Sequence, residues 1–332
     1  MDSNKMRAVV IGRPGGPEVL EIRDVSRVEP GSGEVLVRVR ASGLNRADLL
    51  QRRGRYPAPV GAPTNIPGLE FAGEVEAVGP VVTMWERGQR VMGLAGGGAQ
   101  AEYLVTHERT LSEIPANLSC EQAAAIPEAF ITAHDALWVQ AALRPNERVL
   151  IHAVASGVGL AAVQLANAMN AVACGTSRTA EKLERAKAAG LSEGFVVAKI
   201  PNRDTAELWS VNGRFDVILD LVGGEYTNAS LHALALRGRV LLIGTMAGTK
   251  AELDLGLILG KRAQLIGTML RARPLEEKIA VNLAFRNEVL PLFARGALKP
   301  VIDCEFDWRD IQKAHERMES NQTFGKIVLR IS

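Results

Sequence analysis

Between the apolar run Arg148-Val149-Leu150-Ile151-His152 and the amphipathic stretch Ala161 to Met169 lies the turn Ala153-Val154-Ala155-Ser156-Gly157-Val158-Gly159. Its spacing, Gly157-x-Gly159-x-x-Ala162, suits a strand–turn–helix unit that receives a dinucleotide. Gly157 is expected to permit the tight bend and Gly159 to let the backbone approach a pyrophosphate. Ala162 should let the helix pack close to the sheet. The N–H groups and dipole of the new helix would then face the phosphates. A Gly-x-Gly-x-x-Ala in isolation is often only a tight turn, but here strand, turn and helix agree.

The second strand of such a unit is expected at Val172-Ala173-Cys174-Gly175-Thr176, followed by Ser177-Arg178-Thr179. An NAD-specific unit places Asp or Glu there to hold the ribose 2′-hydroxyl. No acid occurs between Gly157 and Ala180. A hydroxyl and a guanidinium can instead hydrogen-bond a 2′-phosphate, the guanidinium bidentately. Ser177 and Arg178 therefore point to NADPH, with Lys182 as a third contact, and Gly175 in the same strand is also expected to bind the cofactor. The alternative is that Arg178 and Lys182 form a solvated helix face.

The chain has 332 residues, a formal net charge of +2 and three cysteines, Cys120, Cys174 and Cys304, with no CxxC spacing. That length suits two domains. Interspersed charges give no global reason to expect nucleic-acid or membrane partners. A disulfide framework is not expected, and a reducing cytoplasm is the default. The polar start, Met1 to Arg7, reads as no signal peptide, and no apolar stretch is long enough to cross a bilayer.

The elements that must position these residues change character along the chain. Residues 6 to about 120 carry short runs alternating apolar and charged residues, such as Gly33-Glu34-Val35-Leu36-Val37-Arg38-Val39-Arg40, which predict strands with one face in water. From about 122 to 270 the rhythm becomes strand–helix. Strands are predicted at 148–153, 172–176, 195–197, 215–220, 239–244 and 264–269, and a helix from Glu181 to Ala189 is closed by Gly190. This predicts a doubly wound parallel sheet. One helix is predicted from Pro274 to Arg295, after which the tail returns to β-type runs. The boundaries read as 1–122, 123–270 and 271–332, with a nucleotide domain interrupting a β-rich domain built from both chain ends.

This organisation resembles the medium-chain dehydrogenase/reductase superfamily over essentially the whole chain, and more narrowly its zinc-independent quinone oxidoreductases. The carrying blocks are Asn45-Arg46-Ala47-Asp48-Leu49-Leu50-Gln51-Arg52-Arg53-Gly54-Arg55-Tyr56, Pro67-Gly68-Leu69-Glu70-Phe71-Ala72-Gly73, Ala124-Ala125-Ile126-Pro127-Glu128-Ala129-Phe130-Ile131-Thr132-Ala133 and Ala155-Ser156-Gly157-Val158-Gly159. The first and third are especially similar to the p53-inducible quinone oxidoreductase branch. The resemblance implies a GroES-like catalytic domain beside a Rossmann domain. It also implies Thr132 beside the nicotinamide and Ser156 to Val158 against the pyrophosphate. Val222, Gly244 and Met246 should lie at the ends of the fourth and fifth strands, and Asn321 and Lys326 near the cofactor, although Lys326 reads equally well as a surface charge. Many relatives carry a tyrosine after the third strand, where this chain has Val197.

In the zinc alcohol dehydrogenases a cysteine stands at the position of Asn45 and a Gly-His-Glu at Gly68-Leu69-Glu70. An amide and a leucine cannot replace thiolate and imidazole ligands, and the five histidines lack ligand-like spacing, so no metal is expected. The acceptor must then be electrophilic unaided, a quinone or an alkene conjugated to a carbonyl. Asn45 and Tyr56 are the candidate catalytic residues, hydrogen-bonding the acceptor oxygen as charge develops, and Asn45 is also expected to bind the cofactor. Each also has a structural reading, Asn45 as a turn amide and Tyr56 as a loop-packing tyrosine. No acid–base pair stands out. The leading expectation is an NADPH:quinone reductase. The rivals are an NADPH-dependent enal or enone reductase and, from another class, a cofactor-bound crystallin-like or RNA-binding protein. The apolar sixth strand suggests a homodimer joined along that sheet edge.

Overall fold

The computed structural model describes residues 4–331. The chain divides into two compact units. One runs to Ile131 and resumes at Leu270, and the other is Thr132–Met269. The first boundary thus falls after Ile131 rather than after 122. The segment between carries the helix Cys120–Ala124 and the π-helical turn Pro127–Ile131, both built into the first unit.

The first unit holds a seven-stranded sheet. Its long strand β1 (Glu34–Leu44) pairs antiparallel with β2 (Glu70–Val78). In its middle, from Val37 to Arg40, β1 alternates, with Val37 and Val39 buried around exposed Arg38; from Ala41 to Leu44 every residue is buried. Alternation stops there because this end is covered, with the Ala124 carbonyl lying where a Cβ on Gly43 would stand, 2.6 Å away. The helix α1 (Arg46–Arg52) follows β1 directly, and its N3 residue Asp48 accepts from the Asn45 backbone N–H at 2.8 Å.

The second unit carries the strands β3 (Arg148–Ile151), β4 (Val172–Ser177), β5 (Glu193–Val196), β6 (Phe215–Asp220), β7 (Leu234–Leu242) and β8 (Gln264–Gly267). All pair in parallel in the order β5-β4-β3-β6-β7-β8. The central strands are buried on both faces, which is why they read as apolar runs rather than alternations. The order reverses at β3, so the crevice beyond its C-terminal end is the ligand position such sheets provide. All six strands lie where the sequence rhythm places them, with ends shifted by a few residues. β7 begins at Leu234, and β8 stops at Gly267.

The helix Ala180–Ala186 passes through a 3-10 turn, Lys187–Ala189, and ends at Gly190 with φ 96°. The single helix expected from Pro274 to Arg295 is two, Leu275–Glu288 and Leu290–Ala294. Pro291 has no N–H to continue the first ladder and sits instead in the opening turn of the second. The last strand, β9 (Lys326–Arg330), pairs antiparallel with β1 in the first unit.

Candidate active site

The turn after β3 differs in detail from its sequence reading. Gly157 already belongs to the helix α2 (Gly157–Ala168), and the left-handed turn residue is Ala153, φ 50°. A Cβ on Gly159 would lie 2.6 Å from the Val154 carbonyl oxygen and 2.8 Å from that of Ala153. Gly159 therefore lets the first helical turn seat on the preceding bend. Gly175 is buried in β4, and a Cβ there would meet the Val154 side chain at 2.7 Å. It supports the turn from beneath rather than lining it.

Ser156 is the N-cap, its hydroxyl oxygen accepting from the Gly159 N–H at 3.0 Å. Among the described residues nothing accepts from the N–H groups of Gly157 and Val158. Two unpaired donors, a hydroxyl hydrogen and the positive end of a three-turn helix make an anion cradle at the reversal point of the sheet. The residues fit a dinucleotide pyrophosphate.

Ser177 ends β4, nearly buried, and Arg178 follows it exposed. Lys182, in the next helix, is half-buried. The sequence reading missed Tyr226. Burial pushes its phenol up while the Arg178 guanidinium draws it back, which places the two side chains in one electrostatic neighbourhood. Its ring meets that of His152 edge-on at 5.0 Å. His152 is a satisfied core histidine between the Thr176 and Ser230 hydroxyls, and burial lowers its pKa to about 4. Val197, after β5, is buried beside Trp209 and Ala206.

At the end of β6 the Asp220 carboxylate accepts from the N–H groups of Val222 (2.9 Å) and Gly223 (2.8 Å) and from the Thr227 hydroxyl (2.7 Å). That fixes the loop carrying Val222. A Cβ on Gly244 would stand 2.5 Å from the Leu221 carbonyl oxygen, so the two strand ends approach closely there. Met246 is 57% exposed, and Thr132 opens a short helix packed on α2.

In the first unit β1, β2 and β9 bring their ends together around a buried charge cluster. Asn45, just past β1, donates from its amide nitrogen to Glu70 (2.9 Å) and to the Gly43 carbonyl (3.2 Å). Its amide oxygen accepts from the Lys326 ammonium at 2.5 Å. Lys326 also donates to the Leu44 carbonyl at 3.0 Å and pairs with Glu70 at 2.5 Å. Glu70 is 0% and Lys326 5% exposed.

Two expectations change as a result. Both amide hydrogens of Asn45 are committed, so it has none for an acceptor oxygen. Lys326 is neither a surface charge nor available to a phosphate, because its three hydrogens are used within the cluster. Asn321 is also engaged, its amide oxygen accepting from Arg46 at 2.9 Å and its nitrogen donating to the Glu319 carbonyl.

Gly43 makes the cluster possible, since a Cβ there would fall 2.2 Å from a Glu70 carboxylate oxygen. Asp48, buried beneath, accepts from the Asn45 and Gly68 N–H groups, yet burial raises its pKa to about 6. Tyr56 is half-buried under the Arg271 guanidinium, whose carbon lies 4.8 Å from the ring centroid. Arg271 donates to Gln51 at 2.5 Å and to the Gly96 carbonyl at 2.8 Å. Beside it opens a pocket of about 180 Å³ within this unit, lined among others by Glu128, Arg271, His107 and Lys278. Neither Arg271 nor Glu128 was singled out from sequence. Nothing local marks them, because each gains its meaning only from residues far away in the chain.

Residues 31–116 match the alcohol dehydrogenase GroES-like domain and residues 196–329 the zinc-binding dehydrogenase model. A quinone oxidoreductase of Pseudomonas aeruginosa is 36% identical over 95% of this chain and 96% of its own. The chain belongs to the zinc-independent quinone oxidoreductase family of medium-chain dehydrogenases/reductases. Among solved structures, a mycobacterial protein in complex with NADPH superposes with a TM-score of 0.86 at 27% identity, covering 98% of this chain and 100% of that one. An enoyl reductase, JamJ, superposes with 0.87 at 26%, covering 99% and 100%.

Within this quinone oxidoreductase chain the residues do not fit the catalytic zinc of the family's alcohol dehydrogenase relatives. Leu69 is buried and has no donor atom, and the Asn45 amide faces Glu70 with its hydrogens. Glu70 is neutralised by an ammonium 2.5 Å away, whose charge would repel a dication. Among the described residues no group of three or more His, Cys, Asp or Glu is arranged to hold a metal. No described helix is long and apolar enough to cross a membrane.

Proposed function

We propose that the chain is an NADPH:quinone oxidoreductase that works without zinc. The observation that carries this reading is the Lys326 ammonium standing in the charge cluster beside Glu70. With a fixed side-chain cation and no metal donor set, the acceptor must accept a hydride unaided, and quinones do. The unpaired N–H groups of Gly157 and Val158 support a bound dinucleotide, and Ser177 with Arg178 supports the 2′-phosphate form. Catalysis is then chiefly orientation of acceptor against nicotinamide.

Tyr56 remains the proposed hydrogen-bonding residue for the acceptor, held by Arg271 over its ring. The pocket bearing Glu128 and Arg271 is the proposed acceptor site. The likeness to an enoyl reductase supports a second reading, reduction of an enal or enone. A panel of quinones, enals and enones, each with NADPH and with NADH, tests both. Quinone turnover preferring NADPH is expected, and turnover of the alkenes alone would move the assignment to the second reading. For assembly, β8 lies at the edge of its sheet with Leu265 40% exposed, and Met269 just beyond its end is 53% exposed, which supports a symmetric dimer along that edge. Sedimentation as a monomer at micromolar concentration would contradict it.

A further inference from the structure

We propose that Glu128 is the proton donor to the reduced acceptor, a role that rests on the quinone reductase reading above. Three observations converge on it. Glu128 lines the pocket, so a bound acceptor comes within its reach. No described residue hydrogen-bonds to it, whereas its own backbone N–H is spent on Glu70 at 2.8 Å. It sits in the π-helical turn Pro127–Ile131, a conformation that recurs at functional sites.

The groups around it are Glu70 from β2, Asp48 from α1, Lys326 from β9, Arg271 and Tyr56. His107 and Lys278 stand elsewhere on the pocket wall. Burial first, and then the Glu70 carboxylate, favour the protonated form and raise the Glu128 pKa to about 7. A general acid works best when its pKa lies near the working pH.

When bound, the reduced nicotinamide supplies a hydride, which leaves an oxyanion on the acceptor. The Glu128 O–H bond then breaks and an O–H bond forms at that oxyanion. The carboxylate left behind takes a proton from water through the pocket mouth. In sum the acceptor gains one hydride and one proton, two electrons in all, and Glu128 returns to its starting form.

The test uses the full-length protein and two readouts. Infrared titration without cofactor should show a protonated carboxyl band disappearing near pH 7, and Glu128→Gln should lack it. Quinone turnover should fall in wild type as pH rises through about 7. In Glu128→Gln it should be roughly a hundredfold lower and independent of pH across that range, with Glu128→Asp partly restoring rate and profile. Unchanged turnover in Glu128→Gln, or no titrating band in wild type, overturns the proposal. A uniform loss that leaves the pH profile intact would make Glu128 a positioning residue and equally overturn it. If the band titrates but neither quinones nor enals turn over, the quinone reading itself fails and the donor role with it.

Discussion

The phosphate turn of the second unit and the charge cluster of the first are both built where strands end, but they are assembled differently. The turn is largely local, because what shapes it lies between Ala153 and Ala162 except the neighbouring strand, where Gly175 supports it and the Thr176 carbonyl accepts from the Val154 N–H at 3.0 Å. The cluster is drawn from Asn45, Asp48, Glu70, Glu128, Arg271 and Lys326, which only the pairing of β1 with β2 and β9 and the return of the chain bring together. A local site depends on backbone shape, whereas a non-local one depends on every strand's register.

The largest effect should come from breaking the cluster. Lys326→Met leaves the Glu70 carboxylate buried without its partner, which typically costs about 3–5 kcal/mol. Urea unfolding should show a loss of that size. Adding Glu70→Leu should recover part of it, since an apolar pair restores neutrality. If Lys326→Met is neutral, the pair is not the anchor of the three strand ends.

On the turn side the loss should fall on ligand choice rather than on folding. Arg178→Ala should remove a charge-assisted hydrogen bond worth on the order of 1.5–3 kcal/mol, roughly a tenfold to hundredfold weaker grip on NADPH. The grip on NADH should barely change. Dissociation constants for both cofactors at one salt concentration check this. Equal weakening of both would leave Arg178 as general electrostatics.

The same contrast explains what could be read from the chain alone. The six parallel strands and the nucleotide turn were legible because periodicity and glycine spacing are short-range signals. The roles within the turn were not. A glycine pattern does not say that Ala153 takes the left-handed conformation or that the Cβ of Gly159 would strike the Val154 carbonyl. Asn45 was found as a special position, but its commitment to Glu70 and Lys326 was hidden, since those partners lie 25 and 281 residues away. Pro291, visible in the sequence, splits a helix that its periodicity alone would have continued.

A smaller effect separates Glu128 from its neighbours by pH. Its folded pKa of about 7 lies above the ordinary carboxylate value of 4.5. The folded protein therefore holds this proton more tightly than the unfolded chain does. That contribution to stability is complete below about pH 4.5 and lost as pH rises through about 7. Glu128→Gln, which keeps the backbone N–H to Glu70, should be more stable than wild type above pH 7, by on the order of 1–3 kcal/mol. Unfolding free energies on both sides of neutrality measure it. Ser177→Ala should be smaller again, about 0.5–1.5 kcal/mol of NADPH binding for a neutral hydroxyl.

The most direct test of the account is NADPH oxidation by a quinone, catalysed by exhaustively chelated protein whose zinc content is measured in parallel. With Lys326 beside Glu70 and an amide at Asn45, turnover should be the same before and after chelation, without stoichiometric zinc. Loss of turnover on chelation, restored by added zinc, would contradict it.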